Sequence, residues 1–370
     1  MKIAPLLKAF QAHNAEVNES EARFACQLIH TGQHYDARMS DIFFSELGIA
    51  APDVNLDVGS GSHAAQTAAI MTAFEPVCER LDPDWVVVVG DVNSTLACTL
   101  VAAKLGKRVA HVEAGLRSYD RSMPEEINRV VTDALADLLL TPSEDANENL
   151  KKEGIPDFKI RLVGNIMIDS LVAHLSNQRN GSILDQLELE DRGYVYVTLH
   201  RPSNVDQRET LSAIVAELSD IASRFPVVFP VHPRTQSRID EFGLQFAGDG
   251  EIRLVPPIGY RDSLALTKHA RCVLTDSGGL QEESTYFQTP CLTLRPNTER
   301  PVTISIGSNR LTCIETLRTD LEECLASDNR PGQIPPLWDG KTAERIVQAL
   351  LDQRNGPRAT PPGSGFRRPA

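Results

Sequence analysis

The residues able to do chemistry in this chain stand just beyond short apolar runs. One such segment is Cys272-Val-Leu-Thr-Asp-Ser-Gly-Gly-Leu-Gln-Glu-Glu-Ser284. An apolar run ends at Thr275, Gly278 and Gly279 follow, and a helical pattern begins near Leu280. Glycines at a strand-to-helix turn let a phosphate approach the backbone, and the free amides of the helix start favour an anion. Ser277 would open that anion site, and Glu282 or Glu283, one turn further on, could accept hydrogen bonds from a ribose diol. The same residues also fit a plain glycine turn capped by Ser277. A second segment, Gly90-Asp-Val-Asn-Ser-Thr95, places Asp91 at a strand end, as an active-site carboxylate or as a helix N-cap. A third runs from His111-Val-Glu-Ala-Gly-Leu-Arg-Ser118 to Met123-Pro-Glu-Glu-Ile-Asn-Arg129. Glu113 and Glu125 could divide acid and base roles if their surroundings split their pKa values; otherwise they are a capping and a surface glutamate. Arg117 and Arg129 could pair with these carboxylates or with phosphate. In a fourth, Val197-Thr-Leu-His-Arg-Pro-Ser-Asn204, His200 and Arg201 supply a titratable ring and a fixed cation. His232, in Val231-His-Pro-Arg234, and Arg300, after Leu294-Arg295, repeat the pattern of a basic residue just past a strand. One such residue means little; polar groups at strand end after strand end argue for a single lined edge.

Those segments need strands to present them. Phe24–Ile29, Trp85–Val89, Val109–Val112 and Leu138–Leu140 are strand-like in the first half. Tyr194–Leu199, Val227–Val231, Cys272–Leu274 and Cys291–Leu294 follow in the second. Trp85-Val-Val-Val-Val89 has no polar alternation, which predicts a strand buried on both faces in a parallel sheet covered by helices. Strand and helix alternate throughout, so the predicted fold is α/β and doubly wound. The chain has 370 residues, more than one core usually organises, so two domains are expected. The boundary falls near the polar Ser176-Asn-Gln-Arg-Asn-Gly-Ser182, giving domains over 1–170 and 171–354 and a disordered tail over 355–370. Ligands in such sheets bind at the carboxyl ends of the strands, here in the cleft between the domains.

Composition narrows the function. With 37 Lys and Arg against 50 Asp and Glu, the formal net charge is -13, which argues against general nucleic-acid binding. No apolar run approaches the roughly 20 residues of a membrane span, and no secretory signal is present. The seven cysteines are scattered and contain no CxxC pair, which predicts reduced thiols in the cytoplasm rather than a disulfide frame or a zinc site. His13, His30, His34, His63, His174 and His269 show no metal-ligand spacing, and no HExxH, GxSxG or Walker A motif is present. Gly59-Ser-Gly-Ser-His63 lacks the third glycine of a dinucleotide fingerprint and reads as a helix-opening loop.

Taken together, Gly90-Asp-Val-Asn-Ser-Thr95, His111-Val-Glu-Ala-Gly-Leu-Arg-Ser118, Pro124-Glu-Glu-Ile-Asn-Arg129, Leu199-His-Arg201, Asp276-Ser-Gly-Gly-Leu-Gln-Glu-Glu283 and Thr298-Glu-Arg-Pro301 closely resemble the non-hydrolysing UDP-N-acetylglucosamine 2-epimerases. Their order and spacing match over nearly the whole chain. The resemblance implies a GT-B fold of two Rossmann-like domains, usually homodimeric, without metal or nicotinamide. It implies interconversion of UDP-GlcNAc and UDP-ManNAc through loss of the C2 proton, departure of UDP and its re-addition. Envelope polysaccharide is the usual destination of the product. On the family's pattern Asp91, Glu113, Glu125 and His200 surround the sugar, with Asp91 and Glu125 as the proton-transfer pair. Ser277, Gly278 and Gly279 would hold the diphosphate and Glu283 the ribose. Lys2, Arg129, Arg201, His232 and Arg300 would complete the substrate site.

Two departures stand out. The family opens with a strand and a Gly-Thr-Arg-Pro-Glu loop, whereas Met1-Lys2-Ile3-Ala4-Pro5 matches the segment after that loop. A late-called start or a true truncation would account for it, and the chain as written is expected to be poorly stable and weakly active. Adding about 13 upstream residues should raise both melting temperature and turnover by restoring a lost central strand and its buried apolar layer; equal values with and without them would overturn that expectation. The second departure is His232-Pro-Arg-Thr235, where regulated members carry Asn-Pro near a second, activating UDP-GlcNAc that Gln33, Arg201 and His232 would help to bind. Competing readings are a sister epimerase for a UDP-linked diacetamido-uronic acid, a GT-B glycosyltransferase, and a non-catalytic nucleotide-sugar binder.

Overall fold

The computed structural model describes residues 1–18, 22–32, 51–175, 183–247, 250–326 and 332–354. The polar stretch 176–182, Gln33, His34 and the tail 355–370 lie outside them.

The first half builds β1 (Ile29–His30), β2 (Val54–Asn55), β3 (Trp85–Val89), β4 (Arg108–Val112), β5 (Leu138–Thr141) and β6 (Ile160–Leu162). The strands β3-β4-β5-β6 form one parallel sheet in that order, and β1 pairs with β2 as a separate parallel pair. The second half builds β7 (Val195–Thr198), β8 (Val227–Pro230), β9 (Ile252–Val255), β10 (Cys272–Thr275), β11 (Cys291–Leu294) and β12 (Asn309–Thr312). These form a six-stranded parallel sheet in the order β12-β11-β10-β7-β8-β9. Helices cover both faces, as all-parallel strands require. The chain is thus an α/β protein of two Rossmann-like units.

Two strand expectations need correction. Residues 24–28 form no sheet; only Ile29–His30 pairs. Asn14 takes up the backbone of Phe24 instead, accepting its N–H at 2.8 Å and donating to its carbonyl at 2.7 Å. Trp85–Val89 is less buried than a central strand: among the described residues β3 pairs only with β4, and Val88 alone of the run is fully buried. Both faces of β3 do carry apolar cover. Val86 packs with Val109 and Leu139, while Val87 and Val89 pack with Phe10 and Val347. It is the lateral edge, not the faces, that leaves the run half-exposed.

The two domains are joined twice. The helix Ile166–Leu175 starts in the first core through Ile166, and its Ile168 and Leu171 pack with Leu264, Phe287, Val302 and Trp338. The last helix, Thr342–Arg354, returns to the first domain, where Ile346, Val347 and Leu350 pack with Leu6 and Phe10. A linear division at residue 171 therefore leaves this helix with the wrong core. The two crossings meet at the buried Asp169, whose carboxylate accepts Thr342 N–H at 3.1 Å and Ala343 N–H at 2.7 Å. Trp338 adds a bond from its ring nitrogen to the Pro142 carbonyl at 3.1 Å.

Candidate active site

The parallel strands aim their carboxyl ends at the cleft. After β3 the chain turns at Gly90, with φ +74°, and a Cβ there would stand 3.3 Å from Lys2 Nζ and 3.6 Å from Glu113 Oε2. The close approach and the left-handed backbone both call for glycine. After β4, Glu113 is buried and itself adopts φ +73°. Such a conformation in a non-glycine residue costs on the order of 1–3 kcal/mol and persists only where its surroundings impose it. Here Leu140 O accepts both the Glu113 and Ala114 N–H groups, at 3.0 and 3.1 Å.

Glu113 meets Lys2 from its own domain and Arg300 from the other, whose Nη2 donates to Oε1 at 3.1 Å. Burial works against the Glu113 charge, but Lys2 and Arg300 outweigh it and hold the carboxyl below the usual glutamate range. Arg300 also donates to Glu282 at 2.7 Å and pairs with Glu299. A Cβ on Gly278 would lie 2.9 Å from Arg300 Nη1, so this guanidinium sits directly over the start of the helix Gly278–Phe287. Ser277 occupies the N-cap position but makes no side-chain cap bond. The plain capped turn is therefore not what forms: the serine hydroxyl leaves the first-turn amides of this helix to another acceptor.

Asp276, between the end of β10 and Ser277, is an internal anchor. It is buried and accepts the N–H groups of His200 at 3.0 Å and Arg201 at 2.8 Å, and the Asn204 amide at 3.0 Å. His200 Nδ1 lies 2.9 Å from it, so Asp276 orients both the loop and the ring. Burial opposes the Asp276 charge, yet the His200 contact leaves its carboxyl below the usual range. The His232 ring stands 5.9 Å from that of His200, and its Nδ1 caps the helix Pro233–Phe242 by accepting Arg234 N–H at 3.2 Å.

Asp91 pairs with Arg129, whose side chain is 2% exposed and also donates to Glu126 at 2.8 and 3.0 Å. Arg129 thus holds Asp91 and Glu126 together. Of the two adjacent glutamates, Glu126 is the structural one: it accepts Ser118 N–H at 3.0 Å and Tyr119 N–H at 2.9 Å. Glu125 remains half-buried, and its charge acts on the half-buried Arg201 of the opposite domain. The structure therefore gathers Lys2, Glu113, Arg300 and Gly278 into one cluster, sets Glu125 near Arg201, and sets His200 beside His232. Sequence reasoning missed Glu126, Glu299 and Asp276 as anchors. The signal was present in their position, next to Arg129, Arg300 and the strand end respectively.

Glu283 is buried on the same helix as Gly278, and burial pushes its carboxyl up to about 8. A diol donating two hydrogen bonds favours the ionised form, so binding at Glu283 releases a proton. Affinity for a ligand that sets a diol on Glu283 should therefore rise with pH up to about 8, by at most about tenfold per unit, and then level off. Calorimetry in buffers of different ionisation enthalpy checks this, and Glu283→Gln should abolish the proton release. A pH-independent affinity with no proton released would overturn it.

Two facing Rossmann-like domains, a helix start under a buried arginine and carboxylates at the opposing strand ends define a GT-B-type nucleotide-sugar enzyme. A family model described as UDP-N-acetylglucosamine 2-epimerase matches residues 16–351, and the chain belongs to that family. A UDP-N-acetylglucosamine 2-epimerase of Methanococcus maripaludis is 41% identical over 337 residues, covering 88% of this chain and 91% of the relative. A UDP-2,3-diacetamido-2,3-dideoxy-D-glucuronate 2-epimerase of Pseudomonas aeruginosa is also 41% identical, over 87% of this chain and 90% of its own. Among solved structures, the Methanocaldococcus jannaschii UDP-GlcNAc 2-epimerase in complex with UDP-GlcNAc and UDP superposes with TM-score 0.82 at 41% identity, covering 95% of this chain and 96% of that one.

Proposed function

We propose that this chain interconverts UDP-GlcNAc and UDP-ManNAc at C2. The observation that carries the reading is the cluster of Glu113 and Arg300 over the Gly278 helix start, which joins a buried carboxylate to an anion site across the cleft. In this reaction a base removes the C2 proton while the C1–oxygen bond to the diphosphate breaks, leaving 2-acetamidoglucal and UDP. Protonation of C2 on the opposite face and re-addition of UDP at C1 give the epimer. Asp91 and Glu125 serve as the proton-transfer pair, the first on the loop after β3 and the second in the first turn of the helix Pro124–Leu135. The Ser277–Gly279 amides and Arg300 stabilise the departing diphosphate, with His200 and Arg201 beside it, and Glu283 holds the ribose. Lys2 keeps Glu113 charged, and His232 supports the His200 ring.

We also assign the protein to the cytoplasm, as a homodimer serving polysaccharide synthesis. The helices His63–Leu81, Asn93–Lys104 and Pro124–Leu135 pack side by side, and Ala65, Ala68 and Ala69 of the first and Ile127 and Leu135 of the third are exposed. Exposed apolar side chains on packed helices are suited to contact with a second copy of the chain.

Incubation with UDP-GlcNAc in D2O, followed by NMR at C2, tests the reading. Deuterium entering C2 as UDP-ManNAc appears is the expected result. Free ManNAc with UDP would point to hydrolysis instead. Exchange only with the UDP-linked diacetamido-uronic acid would move the substrate to the sister reaction, and no exchange with either would refute epimerisation.

A further inference from the structure

His111 lies on β4, two residues before Glu113, and its ring is fully buried. Its Nδ1 stands 2.6 Å from Asp133 Oδ1 and its Nε2 stands 2.8 Å from the Gly90 carbonyl. A carbonyl oxygen only accepts, so Nε2 donates. Asp133 is likewise buried, and its other oxygen takes Arg117 Nη1 at 2.7 Å and Gly115 N–H at 3.0 Å. Those contacts suit an ionised carboxylate, which also only accepts, so Nδ1 donates as well. The ring is a two-sided donor wedged between the loops that leave β3 and β4. One side fixes the peptide that joins Gly90 to Asp91. The other side, through Asp133, fixes Gly115 and with it the turn that carries Glu113.

We propose that His111 is a positioning residue for the epimerisation: its ring, bridging the Gly90 carbonyl and Asp133, sets the Asp91 loop against Glu113. The inference rests on the proposed function. The bridge touches no substrate atom, so its contribution lies in geometry, where a displacement of about 1 Å can cost about 100-fold in rate.

Two conservative variants separate the two sides of the ring. The amide nitrogen of glutamine reaches the place of Nε2, so His111→Gln keeps the bond to Gly90 and gives up that to Asp133. The amide of asparagine reaches the place of Nδ1, so His111→Asn does the reverse. His111→Asn should lower kcat by about 10- to 100-fold. Its KM should stay within about twofold, because the diphosphate and ribose contacts are intact. His111→Gln should keep several times more turnover than His111→Asn even where their melting temperatures agree. Near-wild-type turnover in His111→Asn, or losses that simply follow melting temperature, would overturn the proposal. Nitrogen-15 NMR of the wild-type imidazole provides a measurement that needs no variant. Protons on both ring nitrogens are expected from the two contacts, and a lone pair on either one would break the bridge as described. Wild-type protein without C2 exchange would remove the function on which this rests; active wild type with an unaffected His111→Asn variant would remove this inference alone.

Discussion

Asp91→Asn should lower kcat by about 10²- to 10⁴-fold, the usual contribution of a positioned proton-transfer group. Substrate binding should change little, because the Asp91 side chain pairs with Arg129 rather than with Arg300 or Glu283. Folding should also survive. The Asp91 side chain is 28% exposed, and its buried partner Arg129 keeps two bonds to Glu126 when the charge is removed. An asparagine oxygen can still accept from Arg129 but cannot take a proton from carbon. The expected signature is a collapse of turnover with near-native KM and melting temperature. C2 exchange in D2O should be lost for the epimer whose proton Asp91 removes and slowed for the other. Near-native turnover would transfer the role to another carboxylate.

Arg300→Leu should produce the largest loss of stability. Three buried carboxylates, Glu113, Glu282 and Glu299, share this one guanidinium across both domains. Removing the shared cation strands their charges, at a cost of about 3–5 kcal/mol for an uncompensated buried pair. The pH dependence supplies a sharper check. Burial opposes the charges of Glu113 and Glu299, but Lys2 and Arg300 for the first, and Arg300 and Arg295 for the second, hold both below the usual range. In the native protein their contribution is therefore present above the ordinary glutamate value and lost as pH falls through the lower folded values. Without Arg300, burial acts with less opposition and the folded values rise. The variant should then gain stability on acidification from about pH 8 to about pH 5, relative to wild type. Urea unfolding at the two pH values measures this, and a parallel pH response in both proteins would contradict the shared-cation account.

The sheets were legible where strands are central. Leu138–Leu140 and Cys272–Leu274 announce themselves because both faces of each are buried and no polar residue interrupts the run, and Cys291–Leu294 because only the buried Thr293 does. β6, β9 and β12 escaped detection for the complementary reason. They are edge strands, and Arg161, Arg253 and Arg310 break their apolar pattern where one side faces water. The site was legible as a set of strand ends but not as a set of partners. Sequence placed Glu113 and Arg300 in opposite halves of the chain; only the cleft puts a hydrogen bond between them. Asp276 shows the limit most clearly, since a carboxylate beside two glycines looks like part of an anion loop until its bonds to His200, Arg201 and Asn204 are seen.

The two crossings between the domains bear on how the cleft can move. A single tether would allow the domains to swivel as well as to close. Here the helix Ile166–Leu175 and the start of Thr342–Arg354 run between them side by side, fastened to each other at Asp169. Two parallel tethers bonded together behave as the pin of a door: rotation about the pin costs little, while twisting across it must break the Asp169 bonds. Such a joint would hold opening and closing to one path and return Arg300 to the same place above the Gly278 helix start. The pairing of the two halves is then set by a joint that lies outside the cluster of Lys2, Glu113 and Arg300.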